Sequence, residues 1–478
     1  MRTFDIAIFQ HDKLRQFAAS VVINILAITT GMAMGWPSPV LPQLTQKDTP
    51  VGTAPMTDDE IAWLSSIKSL TGLMALPFCP WSAERFGRKI TGLIAAVPLI
   101  VNWILVLVAS NFYHLLFARI FSGFGIAMTF SLIPIYVSEI ADDSIRGILG
   151  CFLGFSVNLG TLAAFILGAT LSYRDFAICG LVVPLIFVAT FVFMPETPTN
   201  LIRRGRIEQA TGSLMWLRNN DKQIVEKELY KLQENLKEIS DMTKSISLKD
   251  LFRDRGTTMA FIISMALFCG QHTSGFSIVM IYTTTIFSLS GTSVNPNIAS
   301  IIIASIQMSG SLLSTFTVER TGRKSLTLIS TGGMMIFHLL FGIFFLLKSL
   351  EYDVSSVSWI PLVTLSGYVI AYSMGLGPVA YVIVAETFSP DVMSLGFSVA
   401  MAGALLVSFG TLQLFPFVSS HLGNYTPFFV LSAFCAATFI FTLIFIPETK
   451  GRPKESILEE LNGTKRRSPG DKSVSEDL

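Results

Sequence analysis

Twelve charge-poor apolar segments follow one another along almost the whole chain, at 17–40, 61–81, 90–109, 115–137, 147–170, 176–194, 258–288, 298–318, 325–347, 358–385, 395–418 and 427–446. Each is about as long as the roughly 20 residues a helix needs to cross a bilayer. Lipid offers no partner to backbone N–H and C=O groups, so a segment of this kind must satisfy them internally, as a helix. A soluble alternative would have to bury helices of this length one after another between short loops. The composition agrees, with 51% of residues hydrophobic and 14% charged, against about a quarter charged in an ordinary soluble domain. The expected fold class is an all-α membrane protein with twelve transmembrane helices.

Orientation follows from the Lys and Arg residues in short loops. Loops after even-numbered spans carry Arg85, Arg88 and Lys89, then Arg146, then Arg320, Arg323 and Lys324, whereas the odd-numbered loops hold little beyond Lys47, Arg174 and Lys348. Both termini are therefore expected in the cytoplasm, with no removable signal peptide. The one long polar stretch, from Thr199 to Arg255, spaces Ile207, Leu214, Leu217, Ile224, Leu232 and Leu236 among charged residues, which predicts short amphipathic helices at the cytoplasmic surface. The five cysteines, Cys79, Cys151, Cys179, Cys269 and Cys435, lie in apolar segments without a CxxC pair or neighbouring histidines and read as small core residues, not metal ligands. A formal net charge of +1 and basic residues confined to a few loops and a tail exclude a broad face for nucleic acid.

Three charged cassettes occur once in each half of the chain, in the same order. Glu84-Arg85-Phe86-Gly87-Arg88-Lys89 answers Glu319-Arg320-Thr321-Gly322-Arg323-Lys324, the stretch ending in Glu139 answers the one ending in Glu386, and Pro195-Glu196-Thr197 answers Pro447-Glu448-Thr449. Ordered matches at nearly constant spacing are the mark of duplication. They divide the chain into an N-terminal six-helix bundle over 1–198, a cytoplasmic linker over 199–256, a C-terminal bundle over 257–447 and a cytoplasmic tail over 448–478. Each cassette sits at a span end, where carboxylates and guanidinium groups pair while staying near water. The expectation is a charge network of Arg85, Arg88, Glu139, Arg146, Glu196, Glu319, Arg320, Arg323, Glu386 and Glu448 that locks the two bundles together on the cytoplasmic side.

With these cassettes in place the chain resembles a sugar porter of the major facilitator superfamily, from Gly31 to about Leu461. Ser38-Pro39 and Trp63-Leu64-Ser65-Ser66 are most similar to the insect facilitated trehalose transporters. The resemblance implies two pseudosymmetric six-helix bundles, alternating access, a plasma-membrane location and a midplane pocket for a small neutral sugar, with no cofactor. By the same resemblance Asn158 stands at a fifth-span Gln of the family and Gln271, His272 and Ser277 fall in a seventh-span ligand motif. Gln307 stands at an eighth-span Asn, Tyr381 replaces a tenth-span Trp, and Tyr282 matches an outer-gate aromatic. Neutral amides offer donors and acceptors to hydroxyl groups, and an aromatic face packs on a sugar ring. Isolated amides in membrane bundles also bond helix to helix, and a histidine in an apolar helix is often a core residue, so both readings stand for each.

The pattern also fails in places. The eleventh-span stretch Gly403-Ala404-Leu405-Leu406-Val407-Ser408 keeps only Ser408 as a polar group, and the family's Arg residues are replaced by Met393 and Thr199. Arg119 is present in the fourth span, but the first has no acidic residue to pair with it, which favours downhill transport over proton coupling. There is no GxxxxGK[ST] loop for ATP and no GxSxG or HExxH motif, so no enzyme is expected. The leading expectation is a facilitative carrier of trehalose, a hexose or a related polyol. Against it stand a non-transporting receptor or sensor of the same fold, a carrier of a more apolar solute, and a proton-coupled symporter.

Overall fold

The computed structural model describes residues 13–242, 247–389 and 391–463, and that description excludes the side chains of residues 237–242 and of Thr315, Phe316 and Glu319. Among the described residues it contains helices and no strand, and twelve spans are long and apolar enough to cross a membrane. They are Leu14–Leu44, Asp58–Arg85, Arg88–Leu107, Phe112–Ile140, Arg146–Thr170, Tyr173–Phe191, Arg255–Ser290, Pro296–Ser314, Arg323–Ser349, Ser355–Thr387, Met393–Leu422 and Thr426–Phe445. The fold-class expectation is met. Side-chain caps start several spans, among them a capping box of Thr57 with Glu60 and a cap from Asp254 to the Thr257 N–H. These acceptors satisfy N–H groups that a helix start leaves without intrahelical partners.

Four spans are broken, which hydropathy alone does not reveal; the fifth is interrupted at Cys151, between Arg146–Gly150 and Phe152–Thr170. The first changes direction at Trp36, ahead of Pro37, because proline supplies no N–H to the preceding turn. The seventh breaks at Ser274–Gly275, with Gly275 at φ 86°, and the tenth at Gly375. The carbonyls freed by the last two breaks are bonded from neighbouring spans. Ser274 O accepts from His338 Nε2 at 2.9 Å and from the Tyr368 hydroxyl at 3.0 Å, and ahead of Gly375 the Ser330 hydroxyl donates to Ala371 O at 2.7 Å and the Ser314 hydroxyl to Met374 O at 3.2 Å. Gln271 Nε2 adds bonds just beyond the tenth-span break, to Leu376 O at 2.9 Å and Gly377 O at 2.6 Å. Non-helical backbone is tolerated at membrane depth only where protein or a cavity satisfies it in this way.

Within the first half the first span packs on the fifth and the second on the fourth; in the second half the seventh packs on the eleventh and the ninth on the twelfth. The halves meet where the second span lies along the eleventh and the fifth along the eighth. Between the halves, helices Pro198–Arg203, Ile207–Leu217 and Lys222–Met242 form the polar linker, the last longer than the short helices expected. The linker docks on the first half, where Arg218 bonds Ile140 O and pairs with Glu228 at 2.6 Å. Cys79 and Cys435 are buried as expected, but Cys151, at the junction of two helical pieces, is exposed.

Candidate functional site

Each half builds the same charged cap at the end where its cassettes meet. Gly87 and Gly322 begin the third and ninth spans without side-chain caps, at φ 102° and 95°. A carboxylate from elsewhere in the same half takes over. Glu196 accepts from the Arg88 and Lys89 N–H groups at 2.9 and 3.1 Å, and Glu448 from those of Arg323 and Lys324 at 2.8 and 3.2 Å. A negative charge at a helix N-terminus is favoured by both the open N–H groups and the helix dipole. The arginine that follows then reaches the second cassette, Arg88 pairing with Glu139 at 2.8 Å and Arg323 with Glu386 at 3.1 Å.

The two caps are not equally tight. Arg88 also donates to Asn200 Oδ1 and Ala83 O, both at 3.1 Å. In the second half Arg452 occupies the position equivalent to Asn200, four residues beyond the capping glutamate, and pairs instead with Glu460. Arg323 Nε is left buried without a partner. Arg146, placed in the network on sequence grounds, pairs with Asp143 in an exposed loop. Arg85 and Arg320 are exposed and make no ion pair among the described residues, and the Glu319 side chain lies outside them. Glu139, Glu196, Glu386 and Glu448 thus bond within their own bundles, so among the described residues the network braces each half and makes no ion pair from one half to the other.

Burial works against the charge on Glu448, but the N–H groups of Lys450, Arg323, Ser325 and Lys324 outweigh it and hold its pKa below the ordinary 4.5. With the folded-state pKa depressed, its stabilising contribution is complete above the unfolded value and is lost as pH falls through the lower folded value. E448Q is expected to lower the thermal midpoint at pH 7 by about 5 °C, taking about 1.5–3 kcal/mol for charge-assisted hydrogen bonds. The gap to wild type begins to narrow below pH 4.5 and closes as pH falls through the lower folded value, as a series of thermal unfolding curves in detergent from pH 7 downward would measure.

Contacts between the halves are of another kind. Among the described residues, the hydrogen bonds joining them are Ser38 with Thr284, Ser66 with Gln413, Ser69 with Ser408, and Asn158 with Gln307. The Trp63 and Phe409 rings add an aromatic contact at 5.9 Å. Asn158 and Gln307 lie near the middle of their spans, and the other pairs lie from that depth toward the end away from the cassettes. The halves are therefore joined from the midplane to one face and braced separately at the other.

The predicted ligand residues distribute around this junction. Asn158 Oδ1 accepts from Gln307 Nε2 at 3.0 Å, with both side chains partly buried. Ser277 Oγ lies 3.5 Å from His272 Nδ1. Tyr381 is 45% exposed, its ring leaning on Phe268 at 5.1 Å. Gln271, by contrast, spends its amide N–H groups on the tenth-span break and is 5% exposed, so it holds the scaffold of the site. Ser408 is buried against Ser69. Tyr282 packs on Phe415 at 4.8 Å, two residues before Thr284 and the first-span contact. Arg119 is buried, donates to Ala33 O at 2.8 Å and Leu64 O at 3.2 Å, and lies over the Trp36 ring at 5.7 Å.

The sequence reading passed over Lys68, which lies inside a segment counted as charge-poor. The signal that could have found it is the rarity and cost of an ionisable side chain at membrane depth. It equally missed Ser38, Ser66, Ser69, Thr284 and Gln413, because hydroxyl and amide groups in a helix carry no mark of the partner they meet across an interface.

The model of the sugar (and other) transporter family matches residues 20–461. The facilitated trehalose transporter Tret1 of Apis mellifera ligustica is 32% identical over 453 residues, covering 95% of this chain and 89% of that protein. Tret1 of Polypedilum vanderplanki is 30% identical over 452 residues, with the same coverage. Among solved structures, the inward open conformation of the xylose transporter XylE from E. coli superposes with a TM-score of 0.77 at 20% identity, covering 92% of this chain and 99% of that one. Its partially occluded inward open form gives 0.74 at 20% identity, covering 91% and 100%. Carrying the major facilitator fold in twelve spans, the chain belongs to the family of sugar (and other) transporters.

Proposed function

We propose that the protein is a facilitative carrier of a small sugar, of the trehalose, hexose or polyol class, working by alternating access in the plasma membrane. The observation that carries this reading is the Asn158–Gln307 amide pair at 3.0 Å, which bridges the two halves at mid-depth, where the junction between them ends. Two amides turned toward each other can exchange their mutual bond for a sugar's hydroxyl groups, and the exchange couples occupancy to the fit between the halves. The bundles over 1–198 and 257–447 act as the moving bodies, the 199–256 linker and 448–478 tail as cytoplasmic attachments. Both termini then face the cytoplasm, and the conformation is closed on the outer side. Downhill operation is supported by Arg119, whose bonds run to the carbonyls of Ala33 and Leu64 and not to an acid that could carry a proton.

The test is net flux of labelled trehalose, glucose and a polyol into liposomes holding the purified protein. Saturable, non-concentrative uptake that persists with a proton ionophore is expected. In Asn158→Ala and Gln307→Ala, half-saturation for the transported sugar should rise by about 3- to 10-fold, the worth of one net hydrogen bond. Sugar binding without flux would make the protein a sensor, flux of apolar solutes alone would move the substrate class, and concentrative uptake abolished by the ionophore would make it a symporter.

A further inference from the structure

Between their charged ends the twelve spans contain no Asp or Glu, yet they contain Lys68 and Arg119. The two cations are held very differently. Arg119 is 1% exposed and is held by two carbonyls, which take its Nε and Nη1, and by an indole face, with its Nη2 buried and left without a partner. Lys68 is only partly buried, and its ammonium group makes no hydrogen bond or ion pair among the described residues. It lies within electrostatic reach of Arg119 on its own side and of His272 in the other half. It directly precedes Ser69 and lies one helical turn before Gly72, and both of these meet the eleventh span, through Ser408 and Leu405, so Lys68 belongs to the stretch of the second span that borders the other bundle.

An ammonium group at membrane depth is costly unless it is paired, and here the ionisable groups within electrostatic reach are another cation and an imidazole. We propose that Lys68 is a subsite for one negative charge on the solute, so that the preferred substrate is a sugar acid carrying a single carboxylate. The proposal rests on the sugar-carrier reading and narrows its substrate class. One accessible ammonium group neutralises one charge. A phosphate ester, which carries about −1.5 to −2 at neutral pH, would bring more charge than the site answers, since the guanidinium of Arg119 is shut away. The remaining polar groups suit the rest of such a molecule. Asn158 and Gln307 supply amide donors and acceptors for ring hydroxyl groups, and the half-exposed Tyr381 ring offers a flat apolar face.

Because Lys68 belongs to the carrier, each turnover moves the solute's negative charge across the membrane. Uptake of the acid should therefore respond to voltage while uptake of a neutral sugar does not. The experiment uses the full-length protein in liposomes with labelled glucuronate, its methyl ester, glucose, trehalose and glucose 6-phosphate at equal subsaturating concentrations. Expected is at least a 10-fold preference for glucuronate over its ester and over glucose, accelerated by an inside-positive potassium diffusion potential. K68M should reduce the glucuronate-to-glucose ratio by 10-fold or more, and K68R should largely keep it.

Glucose or trehalose flux at or above glucuronate flux, with a ratio that K68M leaves unmoved, overturns the anionic subsite and leaves the sugar-carrier reading standing. Preference for glucose 6-phosphate overturns the assignment to a single charge. Absence of flux for every sugar in the panel removes the parent reading, and this one with it. If K68M does not fold, the comparison of acid with ester on the wild-type protein decides, because it needs no variant.

Discussion

Replacing Gly87 by alanine is expected to destabilise the protein strongly, and more than the equivalent change at Gly322. Gly87 lies at φ 102°, ψ 166° and Gly322 at φ 95°, ψ 151°, a region that only glycine adopts readily and that costs other residues about 1–3 kcal/mol. That term is shared by both sites. They differ in what a methyl group would strike. At Gly87 an added Cβ would fall 2.2 Å from Glu196 Oε2 and 3.0 Å from Asn200 Nδ2; at Gly322 it would fall 2.7 Å from Glu448 Oε2. Moving Glu196 breaks its bonds to the Arg88 and Lys89 N–H groups and disturbs Asn200, which also holds Arg88. With backbone strain and a displaced carboxylate together, G87A should lose about 3 kcal/mol or more, on the order of a hundredfold in the ratio of folded to unfolded protein. Monodisperse yield in detergent and thermal midpoint would measure it. Equal losses in G87A and G322A would mean that backbone conformation alone matters, and no loss in either would remove the carboxylate cap from the account.

That cap shows both how far the sequence could be read and where it stopped. The repeat of Gly-Arg and Pro-Glu-Thr cassettes was visible as pattern, and their place at span ends as positive-inside topology. The pattern could not tell that Glu196 and Glu448 bind backbone N–H groups in place of a side-chain cap, since that depends on which helix ends fold together. The same limit explains Arg146, whose spacing from Glu139 matched a network and whose side chain meets Asp143. Twelve spans were legible because lipid imposes length and apolarity locally. The breaks at Trp36, Gly275 and Gly375 were not, because each lies within a span that stays apolar overall and the freed carbonyls are satisfied by side chains distant in sequence, such as His338 on Ser274 O and Ser330 on Ala371 O. Gln271 read as a ligand because an amide in a membrane helix looks the same whether it waits for a hydroxyl group or plugs a backbone gap.

The second large effect concerns the face opposite the cassettes. If solute is to enter from that side, the bonds of Ser38 to Thr284, Ser66 to Gln413 and Ser69 to Ser408 must open in every cycle, since they join the halves from mid-depth outward. Ser38 Oγ and Thr284 Oγ1 are 3.1 Å apart, in a chain continued to Ser300 at 2.8 Å, so cysteines at these two positions bring their sulfur atoms within reach of a disulfide. In a background lacking the exposed Cys151, oxidised S38C/T284C should transport at least 10-fold more slowly than wild type, with activity restored by dithiothreitol and both single variants retaining it. The cross-linked protein should still admit a thiol reagent to a cysteine at position 381 from the cassette side, because Tyr381 is 45% exposed in this form, whose halves are joined on the opposite face. S69C/S408C, whose parent hydroxyl groups are also 3.1 Å apart, probes the same junction nearer the midplane and should give the same redox-dependent block. A cross-linked carrier that keeps its full rate would mean that these contacts do not part during transport, and the solute would need a path that leaves the second and eleventh spans together.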